Sequence, residues 1–236
     1  MCFYSSNLGP SRPRPAETTT PKRPPDAGDS MTRSVEVQEL IDLFEAEADR
    51  DRPDEETPDV GIVMGSDSDL DTMYGAYEAL SELGFEEVTD YDDPPASRFS
   101  FETFVVSAHR TPELMYAYGE TASERGLNVV IAGAGGKSAD LPNMTASIAY
   151  PIPVIGVPVQ EKSVDSVIGM PTGAPIVAVD AGKSFNAALS AVQILSRAHP
   201  ELADRLDEYH DSLQEGVGSV SKRLHELGTE RFREER

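Results

Sequence analysis

Three short apolar runs in this chain each pass straight into a small polar turn and then into a helical pattern. They are VGIVM (60–64) into GSDSD, TFVVS (103–107) into AHRTP, and NVVIA (128–132) into GAGGK. Strand, turn and helix repeated this way build a parallel sheet, because parallel neighbours need a crossover between them. In such a sheet every strand ends on the same edge. Ser66, Asp69, Ser107, His109, Arg110 and the 133–136 turn therefore converge on one crevice, where doubly wound sheets bind ligands.

The same reading extends to strands at 152–157 and 176–180. Helices are expected at about 69–83, 112–125, 139–148 and 183–198, with Met73, Tyr77 and Leu80 marking the buried stripe of the first. Right-handed crossovers then give a three-layer α/β sandwich, a flavodoxin-like doubly wound sheet of order 2-1-3-4-5 counting these five strands. Residues 90–100 interrupt the rhythm with Asp92, Asp93, Pro94 and Pro95 and read as an inserted surface loop. Residues 159–172 read as an irregular lid or interface loop.

Outside this core, 34–48 carries an uneven helical stripe of Val35, Val37, Leu40, Ile41, Leu43 and Phe44, and the acidic run at 49–58 reads as a linker. From 201 to 236 a helical stripe of Leu202, Leu206, Tyr209, Leu213, Val217, Val220, Leu224 and Leu227 continues past the α/β pattern. Such a stripe packs either on its own domain or on a neighbouring subunit. The expected organisation is a disordered or mis-started N-terminal extension at 1–58 with a short helix near 34–48, an α/β domain at 59–200 and a helical extension at 201–236.

The chain carries 42 Asp and Glu against 20 Lys and Arg, a formal net charge of −22. A field of that sign repels nucleic acid and anionic membranes, so an anionic ligand must be held by local donors. Acids spread along the whole length, with few lysines, point to a salt-adapted cytoplasm. Residues 1–30 differ: they hold six prolines and four basic against three acidic residues. They read as a disordered tail, or as a mistaken upstream start with Met31 the true one. Cys2 is the only cysteine, which excludes an intramolecular disulfide and a cysteine-based metal site. No apolar run reaches the length of a membrane span, and a soluble, cytoplasmic protein is expected.

Chemistry concentrates in the three turns. In Gly65-Ser66-Asp67-Ser68-Asp69, hydroxyls stand beside the unpaired amides of a helix start, an arrangement that suits an anion. Ordinary N-capping explains one such residue, but not four in a row. Asp69 is a poor phosphate ligand and a good acceptor for a ribose hydroxyl. In Ser107-Ala108-His109-Arg110-Thr111-Pro112, Pro112 suits the first turn of a helix and Thr111 its cap. Arginine offers a planar fork to phosphate and histidine suits proton exchange near neutral pH. A lone histidine is more often structural; its neighbours Ser107 and Arg110 favour a functional role for His109. The turn Ala132–Gly136 admits close approach to backbone amides. It fails the G-x-G-x-x-G spacing, and Ser107 stands where a dinucleotide site needs an acid, which argues against NAD. No P-loop, HExxH or metal-spaced cluster is present in the sequence. His199, His210 and His225 read as surface residues.

The segments IVMGSDSD (62–69), VVSAHRTP (105–112), VVIAGAGG (129–136), LPNM (141–144), PVIGVPVQ (153–160) and NAALSAVQIL (186–195) resemble the family of N5-carboxyaminoimidazole ribonucleotide mutases of de novo purine synthesis, over about residues 60–200. The resemblance implies a carboxyl transfer that needs no metal, ATP or other cofactor, through a trapped CO2. It implies a proton-shuttling histidine at His109. Substrate contacts are implied at Ser66, Asp69, Ser107 and Arg110, at the turn Gly133, Ala134, Gly135 and Gly136, and at Leu141. It further implies a small-molecule ribonucleotide substrate and a homo-octamer built with the C-terminal helices. Two departures stand out. Many bacterial relatives read G-G-A-A-H-L-P, whereas here Gly135-Gly136-Lys137-Ser138-Ala139-Asp140-Leu141-Pro142 is one residue longer, with Asp140 in the second histidine's place. The 160–172 loop is also shorter. Competing functions are direct carboxylation of aminoimidazole ribonucleotide by CO2, a related carboxylase domain for a nicotinate-type nucleotide, and a ribonucleotide-binding module without turnover.

Overall fold

The computed structural model describes residues 34–236; the two readings of residues 1–30, with Met31 as the start, lie outside the described residues. Strands β1 (Val60–Met64), β2 (Glu86–Glu87), β3 (Ser100–Val105), β4 (Val129–Ala134), β5 (Val154–Pro158) and β6 (Val177–Ala178) form one sheet in the order β2-β3-β1-β4-β5-β6. All neighbouring pairs are parallel. The expected order is therefore kept, with one further edge strand. That strand, Glu86–Glu87, is too short and polar for an apolar-run criterion to find.

Helices cover both faces. On one lie α2 (Leu70–Glu82), α6 (Ser184–Leu195) and the start of α7 (Pro200–Leu227), packed on Ile62, Met64, Phe101, Ile131 and Val157. On the other lie α1 (Val35–Ala48), α3 (Pro112–Glu120), α4 (Leu141–Ile148) and α5 (Val164–Ile168), packed on Val63, Val130, Ala132 and Val154. Alternate residues of β1 and β4 serve opposite faces, which is why their sequences read as unbroken apolar runs.

Several boundaries differ from expectation for identifiable reasons. β3 begins at Ser100, inside the stretch read as a surface loop. Its register pairs Val60 with Phe101, and the Ser100 N–H donates to Asp59 Oδ2 at 3.0 Å. That placement buries Phe99, Phe101 and also Glu102. Glu102 is tolerated there because Arg125 Nη1 meets its Oε1 at 2.6 Å and the Tyr91 hydroxyl donates to it. The Arg125 guanidinium in turn lies 4.7 Å from the Phe44 ring centre and 4.6 Å from that of Tyr118. Through Phe44, α1 is thus part of the packed body and not a loose extension. α3 stops at Glu120, short of the expected 125, and the chain turns through Gly126 at φ +90°. β6 shrinks to Val177–Ala178, and the 159–172 stretch is not wholly irregular, since it contains a 3-10 turn at Glu161–Ser163 and α5.

The first part of the tail's stripe packs on its own domain. Leu202, Leu206 and Tyr209 fold back on the first core, and Arg205 Nη1 donates to the Leu83 carbonyl at 2.8 Å. Further along, Leu213, Val217, Val220 and Leu224 stand exposed, Val217 at 71%. Gly228, at φ +74°, separates α7 from α8 (Thr229–Glu234). His210 and His225 are exposed as expected, whereas His199 is half-buried with its ring 5.2 Å from that of Phe99. Leu195 closes α6 against this core at 5% exposure. Leu195→Ala is expected to cost about 2–5 kcal/mol in a denaturant titration; a loss below about 1 kcal/mol would show that the α6 end does not carry the core.

Candidate active site

β1 lies between β3 and β4, and the three end nearly level: Met64 is opposite Val105 on one side and Gly133 on the other. Their turns open into one cleft of about 510 Å³. After β1 the chain makes a 3-10 turn, Asp67–Asp69, before α2. The Ser66 hydroxyl accepts the Ser68 N–H at 3.4 Å and donates to Asp67 Oδ1 at 2.9 Å. Ser66 thus caps this turn while also lining the cleft. Asp69 is only 6% exposed. Burial pushes its carboxyl up, while the Ser66 N–H and the Arg110 charge pull it down.

The second turn is held by Arg110. Its N–H and Nε–H donate to Ser107 Oγ at 3.2 and 3.4 Å, and Nη2 donates to the Gly65 carbonyl at 2.8 Å. One guanidinium therefore ties the turn after β3 to the turn after β1 and still faces the cleft. Ser107 belongs to this turn and not to the strand, which ends at Val105. Pro112 opens α3 as expected. Thr111 is the cap by position, but its hydroxyl accepts the Ser107 N–H at 3.0 Å instead of a helix amide. His109 projects beyond these contacts, and its Nε2 lies 3.0 Å from Asp140 Oδ2.

Around the third turn, Ala134 at the end of β4, Gly135, Gly136 and Leu141 at the start of α4 line the cleft. Gly133 does not. It is still in β4, and a side chain there would collide with Met73 beneath the sheet, so it serves packing. A Cβ at Gly135 would stand 3.0 Å from Asp69 Oδ1, so a side chain there would displace that carboxylate by a few tenths of an ångström. Gly136 adopts φ +88°, a conformation that favours glycine.

Ser68, whose hydroxyl the sequence placed in the first turn, lines the cleft, and sequence reasoning passed over Ala108, Ser138, Gln160 and Lys162 as lining residues. Gln160 and Lys162 follow β5, so the rule that picked out the first three turns reaches them as well. Asp140 stood out as a departure from the relatives, but its contact with His109 joins residues from different turns and no spacing rule reveals it. Among the described residues, no group of three or more His, Cys, Asp or Glu is placed to hold a metal ion.

The family profile described as AIR carboxylase matches residues 59–216. The chain belongs to the AIR carboxylase family. It is 41% identical over 183 residues to the N5-carboxyaminoimidazole ribonucleotide mutase of Pyrococcus horikoshii, covering 75% of this chain and 94% of that protein. It is 44% identical over 181 residues to the protein of the same name from Mycobacterium tuberculosis, covering 74% and 95%. Among solved structures, Treponema denticola PurE shares the fold, with a TM-score of 0.57 at 24% identity over 70% of this chain and 97% of that one.

Arg110→Lys keeps the charge but loses the fork that joins Ser107 and Gly65. Calorimetry is expected to show about tenfold or greater weakening of ribonucleotide binding. Unchanged affinity would mean that Arg110 organises the turns without holding ligand.

Proposed function

We propose that this chain converts N5-carboxyaminoimidazole ribonucleotide to 4-carboxy-5-aminoimidazole ribonucleotide, in de novo purine synthesis. The observation that carries the reading is a single imidazole, His109, set beside an arginine clamp and a glycine turn in one cleft. The names of the relatives support the same chemistry.

In this reading Arg110, Ser66 and Ser107 hold the phosphate end of the substrate. Asp69 accepts from a ribose hydroxyl. The backbone of Ala134, Gly135 and Gly136, with Leu141, walls the aminoimidazole. As the bond between the exocyclic nitrogen and the carboxyl carbon breaks, protonated His109 supplies a proton to that nitrogen and CO2 is released inside the cleft. Ring carbon C4 then attacks the CO2 carbon. Neutral His109 removes the proton left on C4, which restores the aromatic ring and returns the imidazole to its starting state. Neutral CO2 offers little for a charge to grip, so its retention depends on a closed pocket with backbone donors.

We further infer a cytoplasmic homo-octamer adapted to concentrated salt. The exposed stripe Leu213, Val217, Val220 and Leu224 supports subunit packing, and the net charge of −22 supports salt adaptation. Among the described residues, no helix is long and apolar enough to cross a membrane.

Purified protein in high salt, given N5-carboxyaminoimidazole ribonucleotide without ATP or added bicarbonate, is expected to form the C4-carboxylated product. His109→Asn is expected to keep the fold and lower kcat by at least about 100-fold. Product formed only from aminoimidazole ribonucleotide and abundant bicarbonate would point instead to direct carboxylation. Ligand binding without turnover from either substrate would support the binding module. Near-normal turnover in the variant would remove His109 from the mechanism.

A further inference from the structure

Asp140 is the residue whose chemistry the reading above leaves unused. It lies between β4 and α4 in the N-cap position of α4, yet its side chain caps no helix amide. Its two oxygens point elsewhere. Oδ2 meets His109 Nε2 at 3.0 Å, and Oδ1 accepts the Ser166 hydroxyl at 3.5 Å, a long contact. Ser166 is itself anchored in α5: its Oγ accepts the Ala139 N–H at 3.1 Å, and its carbonyl accepts Asn143 Nδ2 at 2.6 Å. A line of contacts thus runs from α5 through Asp140 to the imidazole in the turn after β3.

We propose that Asp140 is a positioning residue that sets the orientation and tautomer of His109. This rests on the role given to His109 above. An ionised carboxylate only accepts hydrogen bonds, so for this contact to act as one the facing atom must carry the hydrogen. The neutral imidazole is then protonated on Nε2, and Nδ1 is the atom that takes up and returns the travelling proton. When His109 becomes imidazolium in the cycle, the Asp140 charge is already in place to stabilise it, as the buried carboxylate does in a serine-protease triad. Stability offers little alternative account of the pair. The side chains of His109 and Asp140 are 61% and 42% exposed, and ion pairs that open to solvent contribute little to folding. Bound substrate would cover the cleft and strengthen the contact by excluding water.

The test pairs steady-state kinetics with nitrogen-15 NMR of the His109 ring in the ligand-free protein. The wild-type ring is expected to be protonated on Nε2 when neutral. Asp140→Ala is expected to give a mixture of tautomers and to lower kcat about 10–100-fold, with KM changed less than about twofold. Asp140→Asn, which keeps the shape and loses the charge, provides a folded variant if the alanine protein melts early, and its kcat is expected to fall as well. A wild-type ring protonated on Nδ1, or an Asp140→Ala protein with unchanged tautomer and kcat, would overturn the proposal. The functional reading fails separately: if His109→Asn keeps full turnover, or the wild type has none, the ring tautomer in wild type and Asp140→Ala still decides whether Asp140 sets it.

Discussion

The site depends on the parallel register that holds β1 between β3 and β4. Met64 faces Val105 and Gly133 across the two ladders, so the three strands release their turns at nearly the same height. A slip of one residue on either side would exchange the faces of that strand and move its turn away from the cleft. Apolar burial from both helical layers fixes the register. At the far end of β3, the Ser100 N–H bonded to Asp59 reinforces it. At the functional edge, where Met64, Val106 and Ala134 are buried as well, polar contacts also join the turns. Arg110 does this by donating to Ser107 on its own turn and to Gly65 on the next.

In the proposed function, a strongly acidic chain has to recognise an anion through local donors. Arg110 and Lys162 are the cationic side chains among the residues lining the cleft, beside the acids Asp69 and Asp140. Each acid is held near a partner: Asp69 lies within the field of Arg110, and Asp140 lies against His109. The cleft therefore keeps a local balance of charge despite the field of the whole chain. The remaining binding capacity comes from hydroxyls and backbone, which carry no net charge.

Much of this was legible in sequence, for a physical reason. Strands buried on both faces give continuous apolar runs, and their turns must be polar and small. Val60–Met64 and Val129–Ala134 therefore announce themselves along with the residues that follow. β3 was harder to place because Glu102 is a buried charge whose partner, Arg125, comes from beyond α3. Glu86–Glu87 has no apolar signature at all. In the site, Ser66, Asp69, Ser107, His109 and Arg110 follow from local pattern. Gly133 lies in the strand and not in the turn, because a glycine in a turn-like run can equally serve packing, here against Met73. The contact from Asp140 to His109 depends on how two turns meet, and a linear pattern does not encode that distance.

In the proposed reaction the carboxyl group moves within one substrate-covered cleft without passing through solvent. Substrate labelled with carbon-13 in its N-carboxyl group would be converted in a buffer rich in unlabelled bicarbonate, and the C4-carboxylated product analysed by mass spectrometry during the first turnovers. Retention of most of the label in that product is the predicted result. Product carrying label only at the level of the bulk bicarbonate would instead make CO2 from solution the true substrate.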